Sequence, residues 1–234
     1  MILSYKIGQI FLLLEIFIDG FGIYNTSNRS TKGVYLSLSN ICRKNKDKRD
    51  SKWTIMLIPP GVALYEALAP LRRDILEIEK GIDIHDCHID SKVRVTGAIS
   101  FLIADTMEAM ELCRHMGPSS NMNCRSCLID SKDQAQWSED ILTCNMTRRK
   151  SMTDTIIQQL NDEIKHKKIT SESGISKIRT KYGISLTPDP LEGVTVDAHL
   201  QTFREVEHLF DAGLIKVLIQ TIVNNMSTNE KTTL

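Results

Sequence analysis

The chain has 234 residues, 29 basic residues (Lys and Arg) against 29 acidic ones (Asp and Glu), and 41% hydrophobic residues. This length suits one domain or slightly more, and the apolar fraction is enough for a packed core, so wholesale disorder is excluded. Zero net charge argues against a uniformly basic nucleic-acid coat, and 6% aromatic residues argue against a stacking platform for single strands. Six cysteines are too few for a disulfide scaffold and indicate reduced thiols or metal ligands in an intracellular protein.

The start of the chain is largely apolar and invites comparison with a signal peptide or membrane anchor. Lys6, Gln9 and Glu15 interrupt the apolar run, and no small-residue cleavage site follows. A spanning helix needs about 20 consecutive apolar residues, whereas the runs within 10–18 have the length of a strand. We therefore predict a buried strand that ends at Asp19. A signal-anchored secreted protein of unrelated fold is the less favoured alternative.

Two more strands and a helix are predicted next. The short apolar run at 34–38 combines hydrophobic, aromatic and β-branched residues, and a further run at 53–58 is ended by two prolines and a glycine. Apolar side chains then recur at steps of four and three between 64 and 82, which is typical of one helix face. Pro70 is placed to start or kink this helix, and Gly81 is placed to cap it.

The second half of the chain changes in character. Apolar residues and one glycine occupy every second position from 93 to 103, which predicts a fourth strand with these residues on one face. A short helix is predicted over 107–115, and longer helices over 152–167 and 205–223. A polar stretch bearing glycine and proline separates the two longer helices, and the tail after 223 is polar.

Two aspartates, Asp19 and Asp105, each follow a predicted strand. Paired carboxylates are the hard oxygen ligands that Mg²⁺ and Mn²⁺ require. Two such ions about 4 Å apart can activate water and stabilise the leaving oxygen of a phosphodiester. An aspartate after a strand is more often a turn former or a helix cap, so the pattern alone favours a structural role.

Cys124 and Cys127 form a CxxC pair. Two thiols at this spacing can hold one Zn²⁺ from a tight turn. The residues that could complete a tetrahedron are Cys113, His115, His199 and His208. A single CxxC is a weak signal, so a redox pair or unligated thiols stay open. The zinc-deaminase pattern is not met, because no H-x-E precedes the pair and Asn123 stands where proline is expected.

A basic segment lies between the second and third predicted strands. Its basic residues are Arg43, Lys44, Lys46, Lys48, Arg49 and Lys52. A run of this kind is usually a solvated loop, but it could also contact phosphates of a nucleic acid.

Three blocks of the sequence resemble transposases of CACTA-like and Plavaka (KDZ-like) DNA transposons. The first, "IFIDGFGIYNTSNRSTKGVYLSLSN", is similar to their opening catalytic strand. The second, "VRVTGAISFLIADTMEAMELCRHMGPSSNMNCRSCLI", resembles an Asp-bearing strand end followed by a CxxC. The third, "LTPDPLEGVTVDAHLQTFREVEHLFDAGLIKVL", resembles a block in which a helical His precedes Gly and Lys, here His208, Gly213 and Lys216.

The resemblance implies an α/β fold with a mixed sheet, namely an RNase H-like core split by a mainly helical insertion. Residues 1–135 would form part of the catalytic core, and 136–234 the helical insertion region. In that fold the fourth strand is parallel to the first and next to it, so Asp19 and Asp105 would meet and hold Mg²⁺ or Mn²⁺. His115 would be the preferred third zinc ligand with Cys124 and Cys127.

The resemblance also implies DNA transposon ends as partner, a homo-oligomer and a nuclear location, without a membrane. The chain departs from the family pattern in two respects. Only 18 residues precede Asp19, whereas relatives carry a DNA-binding region before the first catalytic strand. The third acid that relatives supply after the insertion is not evident, and Glu205 and Glu207 are poor substitutes. The expectation is a transposase fragment that is catalytically incomplete alone, with a non-catalytic zinc-bearing module for binding DNA or protein as the alternative.

Overall fold

The computed structural model describes residues 8–22, 30–46, 51–133, 147–166, 169, 171–204 and 221. Apart from residue 221, the helix predicted over 205–223 lies outside these residues, as do the polar tail and the domain boundary predicted at 135/136. The strands are β1 (Gln9–Gly22), β2 (Ser30–Leu38), β3 (Lys52–Ile58), β4 (Ile82–Asp86), β5 (Ser91–Ala104) and β6 (Thr202–Arg204). The helices are α1 (Arg43–Lys46), α2 (Leu64–Ala67), α3 (Ala69–Lys80), α4 (Thr106–Leu112), α5 (Lys150–Lys165), α6 (Glu172–Tyr182) and α7 (Ala198–Gln201).

The strands form one mixed sheet, and the chain belongs to the mixed α/β class that the sequence predicts. The strand order is β3-β2-β1-β5-β4. β6 pairs with the same edge of β5 as β4 does, but β4 lies at the amino end of β5 and β6 at its carboxyl end. β1, β2 and β3 are antiparallel neighbours, whereas β5 is parallel to β1. Over the residues that the structure describes, the apolar start of the chain forms a central strand, as predicted. This strand does not end at Asp19 but continues for three more residues.

The core lies on one face of this sheet. Alternate β1 residues Leu14, Ile16 and Ile18 point into it, and Ile18 is fully buried. Helices α2 and α3 and the segment 191–198 pack on the same core. Pro70 lies at the start of α3, and Gly81, at a φ of 90°, ends it, as predicted. A smaller cluster joins α5 and α6.

The fourth predicted strand is present as β5, but the prediction that its alternate residues keep one face is wrong. Val93, Val95 and Ile99 face the core, whereas further along Leu102 and Ala104 do so and Phe101 does not. The register against β1 shifts after Ile99, which inserts one residue and reverses the faces. Ser100 stabilises this bulge, because its hydroxyl donates to the carbonyl of Leu14 (2.9 Å).

Five elements were not predicted, namely β4, β6, α6 and the four-residue helices α1 and α7. β4 is a short edge strand in which Ile82 and Ile84 are exposed, so its sequence has no pattern of buried residues from which to predict it. β6 has only three residues. α6 occupies the stretch expected to be irregular; it begins at a Ser171 cap and contains no buried residue, so its amphipathic pattern is weak.

Candidate functional site

The carboxyl ends of β1 and β5 bring the backbones of Asp19 and Asp105 together. The last parallel pair in the register is Ile18 with Ala104, and each aspartate is the next residue in the chain. Adjacent strands are about 4.8 Å apart, so the two backbones are neighbours at one end of the sheet. Both side chains are half-buried.

Asp105 serves as the N-cap of α4, which is the structural role that aspartates after strands commonly have. Its Oδ1 accepts the backbone N–H groups of Met107 (2.8 Å) and Glu108 (2.9 Å). The second carboxylate oxygen, Oδ2, takes no part in these two bonds. The cap therefore fixes the orientation of the carboxylate and is compatible with a ligand on Oδ2.

Asp19 lies within β1 opposite Gly33 of β2. Strand alternation directs it to the face opposite Ile18 and the core. A Cβ added to Gly33 would lie 2.5 Å from the hydroxyl of Tyr35, so the ring of Tyr35 covers Gly33 beside the aspartate. Tyr35 also packs against Phe17, with ring centroids 5.8 Å apart. Glycine is therefore required at position 33 to admit this ring.

A buried glutamate that was not predicted lies beside Gly20, on the core face of the sheet and therefore on the face opposite the Asp19 side chain. Glu108 is only 5% exposed, and its Oε1 lies 3.3 Å from the position that a Cβ on Gly20 would take. Lys32 approaches Oε1 at 3.5 Å and contacts Glu111 more closely, at 2.5 Å. The signal available in the sequence was the spacing of three from Asp105, which places Glu108 in the first turn of α4.

Oxygen donors of this kind suit Mg²⁺ or Mn²⁺, which prefer carboxylates. In the part of the chain that the structure describes, no three His, Cys, Asp or Glu side chains form a group that could hold a metal ion. What the structure offers at this end of the sheet is two neighbouring aspartates and one buried carboxylate, Glu108, with an oxygen that accepts no hydrogen bond from the described residues.

The CxxC pair lies in an irregular segment after α4. The amide of Ser126 donates to Sγ of Cys124 (3.4 Å), and Cys127 is buried. Burial raises the pKa of the Cys127 thiol to about 11, and that of the Cys113 thiol likewise to about 11. Both are therefore neutral thiols at neutral pH. The cysteines within the described residues form no disulfide.

His115, the zinc ligand preferred from the sequence, uses both ring nitrogens inside the fold. Nδ1 accepts the N–H of Gly117 (2.9 Å), and Nε2 then donates to the carbonyl of Met122 (2.9 Å). Burial lowers the pKa of His115 to about 4, assisted by the charge of Arg148. Zinc coordination by His115 would require the loss of one of these two hydrogen bonds.

His199, a further candidate ligand, is engaged in the same way. Nδ1 donates to the carbonyl of Arg125 (2.8 Å), and Nε2 accepts from the hydroxyl of Thr153 (2.9 Å). Burial lowers its pKa to about 4. The remaining candidate, His208, lies outside the described residues. His115 and His199 therefore both connect segments of the fold as neutral rings.

Two buried arginines accompany these groups and were not predicted, since nothing in their spacing marks them. Arg148 is 1% exposed and donates twice to the carbonyl of Tyr182 (3.0 Å each). Arg125 donates to the carbonyl of Thr202 at the start of β6 (2.8 Å). Burial lowers the pKa of Arg148, while the nearby thiols Cys124, Cys127 and Cys113 raise it. These guanidinium groups join the cysteine segment to the rest of the chain.

The basic segment lies at the opposite end of the sheet from the aspartates. Ser39, just after β2, donates its backbone N–H to the carbonyl of Leu13 (2.8 Å), six residues before Asp19 along β1. At about 3.3 Å per residue, this separates the two ends by about 20 Å. Arg43 to Lys46 form α1 rather than a loop, Lys44 and Lys52 are exposed, and Lys48 and Arg49 lie outside the described residues.

Comparison with models of protein families gives no match, and no curated protein matches the chain. Within the residues described, no helix is long and apolar enough to span a membrane.

Proposed function

We propose that the chain is part of the catalytic core of a DNA transposase with an RNase H-like fold. Asp19 and Asp105 are then the first two metal-binding acids of a DNA strand-cleaving and strand-joining centre. The observation that carries this proposal is the register in which Ile18 pairs with Ala104, because it makes the two aspartates neighbours. The order of three antiparallel strands, helices and a strand parallel to the first supports the same proposal.

The proposed chemistry assigns each residue a limited task. Mg²⁺ or Mn²⁺, when bound, neutralises charge at the phosphodiester and activates the attacking oxygen. Asp19 and Asp105 would hold the ion, and the two cap bonds to Oδ1 keep the Asp105 carboxylate from rotating away. The basic segment 43–52 would bind the DNA backbone, with Lys44 and Lys52 as its exposed described members. Transposon ends, a homo-oligomer and a nuclear location complete the proposal.

The experiment is a Mn²⁺ titration of the purified chain followed by plasmid nicking in Mn²⁺. We expect Asp19→Asn and Asp105→Asn each to abolish Mn²⁺ binding, while Asp162→Asn, an exposed aspartate on α5, leaves it unchanged. Because two carboxylates alone support the two-metal reaction poorly, any nicking should be weak and lost in both site variants. Absence of Mn²⁺ binding, or binding that survives both substitutions, would contradict the proposal.

A second candidate is a non-catalytic zinc-bearing module that binds DNA or a protein. It is favoured by the turn at Cys124–Cys127, where the Ser126 N–H donates to a thiol sulfur as backbone amides do to ligand sulfurs. Stoichiometric zinc that is lost in Cys124→Ser and Cys127→Ser, with salt-sensitive DNA retention and no cleavage, would support this candidate. A chain purified without zinc under reducing conditions, and unable to take it up, would contradict it.

A further inference from the structure

The central strand of the sheet carries apolar side chains on both of its faces. Leu14, Ile16 and Ile18 of β1 point into the core, and the residues that alternate with them point to the other face. A strand with a nearly continuous apolar run is typical of a sheet that is covered on both faces. We call the face opposite the core the second face, and its apolar side chains include Phe11, Phe17, Phe21, Leu57, Ile103 and Phe203.

The strand register places most of these side chains side by side toward the carboxyl end of β1. Ile103 of β5 pairs with Phe17 of β1 on one side and with Phe203 of β6 on the other. Leu57 of β3 lies in line with Asp19, through the β2 residue between them. The second face is therefore apolar from β6 across to β3, a width of about 19 Å at about 4.8 Å for each step between strands.

The described elements leave the margins of the second face uncovered. Leu57 and Phe203, at its two sides, are 59% and 57% exposed, and Phe21 is exposed as well. Helices α2 and α3 and the segment 191–198 pack on the core, which is the opposite face of the sheet. An exposed apolar patch of this kind marks a surface that contacts another segment or another chain.

The chain that follows β6 is placed to cover the second face. It leaves the sheet at Arg204, directly after Phe203, at one side of that face. The sequence predicts a helix over 205–223, and more than half of the residues in this segment are apolar. Such a helix would be about 28 Å long at 1.5 Å per residue, which is enough to cross from β6 to β3.

The other segments outside the described residues fit the second face less well. Residues 23–29 and 224–234 are mostly polar. Residues 1–7 lead into the amino end of β1, at the far end of the strand from Phe21. The segment 134–146 is held beside the cysteine pair, because Thr147, which follows it, pairs with Cys127. The segment 205–223 thus combines the required length, apolar character and point of departure.

We propose that residues 205–223 pack across the second face, so that the sheet is covered on both sides. The chain turns back after β6 and passes over β5, β1 and β2 toward β3, with its apolar side chains on those of the second face. This inference does not need the cation site at the aspartates, since it rests on the exposed apolar side chains and on the point at which the chain leaves β6.

The test is photo-cross-linking in the full chain. Benzoyl-phenylalanine replaces Leu57 in one protein and Phe21 in another, because both side chains are exposed on the second face. The matched control carries it in place of Trp53, an exposed aromatic residue of β3 whose strand partner Leu36 packs on the core side. After irradiation, we expect peptides from 205–223 to be the main cross-linked product of the first two proteins and to be absent from the control.

Mixing chains grown with normal and with heavy nitrogen distinguishes cross-links within one chain from cross-links between two chains. Products formed only between chains would assign the second face to a second copy and overturn the inference. It would also be overturned if neither the Leu57 nor the Phe21 position gave products with 205–223, or if the Trp53 position gave them equally. Thermal unfolding verifies that each labelled chain folds, and if one of the two test positions prevents folding, the other decides.

Discussion

Lowering the pH from about 7.5 to about 5 should destabilise this protein through two buried histidines. His115 and His199 both have pKa values of about 4 in the folded chain, chiefly because they are buried. In the unfolded chain their pKa values return to about 6.5. Below pH 6.5 the two histidines bind protons in the unfolded chain but stay neutral in the folded chain. The free energy of unfolding therefore falls as the pH drops from 6.5 toward 4.

The magnitude follows from the two pKa values. At about pH 5 an unfolded histidine with a pKa of about 6.5 is almost fully protonated, while a folded one with a pKa of about 4 is largely neutral. The difference amounts to about 2 kcal/mol for each histidine and about 4 kcal/mol for both. A loss of this size is a large share of the stability of a single domain.

The assay is urea unfolding across this pH range. In His199→Asn the amide can still donate to the carbonyl of Arg125, and we expect the loss of stability on acidification to fall from about 4 to about 2 kcal/mol. His88→Asn, at an exposed turn position between β4 and β5, is the control variant. An unaltered slope in His199→Asn would refute the assignment of this histidine as a buried neutral group.

Three further predictions test the packing and the thiols. Ile18→Ala, at a fully buried β1 position, should cost about 2–5 kcal/mol in urea unfolding, and a cost below about 1 kcal/mol would show that this face is not core. Gly97→Ala should cost about 1–3 kcal/mol by the same measurement, because the new Cβ would lie 2.9 Å from the Leu12 carbonyl oxygen; a neutral effect would contradict the close approach of β5 to β1. In thiol labelling with a disulfide reagent, exposed Cys87 should react at least about tenfold faster than buried Cys127 in the native, metal-free chain, and equal rates would contradict the burial of Cys127.

Much of the sheet could be predicted from local sequence patterns. The β1 and β3 runs are apolar and end at turn residues. Pro70 and Gly81 mark the start and the end of α3 in the sequence. The change of face within β5 could not be predicted, because a bulge at Ser100 depends on the register with β1 and not on β5 alone. β4 and β6 are stabilised by pairing with β5, which their short sequences do not reveal.

The candidate site was predictable to a smaller degree. Asp19 and Asp105 could be identified because each follows an apolar run in the sequence, and the cap made by Asp105 is the ordinary role expected from that position. The burial of Glu108 and its contact with Lys32, 76 positions earlier in the sequence, arise from tertiary packing, so no local pattern shows them. The hydrogen bonds that engage both nitrogens of His115 likewise come from loop backbone that periodicity does not locate.

The two-aspartate cation site is tested most directly by diffraction from crystals grown or soaked in Mn²⁺, with data collected at a wavelength that gives manganese an anomalous signal. We predict an anomalous peak about 2.1 Å from carboxylate oxygens of both Asp19 and Asp105, which is the distance of direct coordination. An ordered chain with no peak at this end of the sheet, at Mn²⁺ concentrations that saturate a hard-oxygen site, would contradict it.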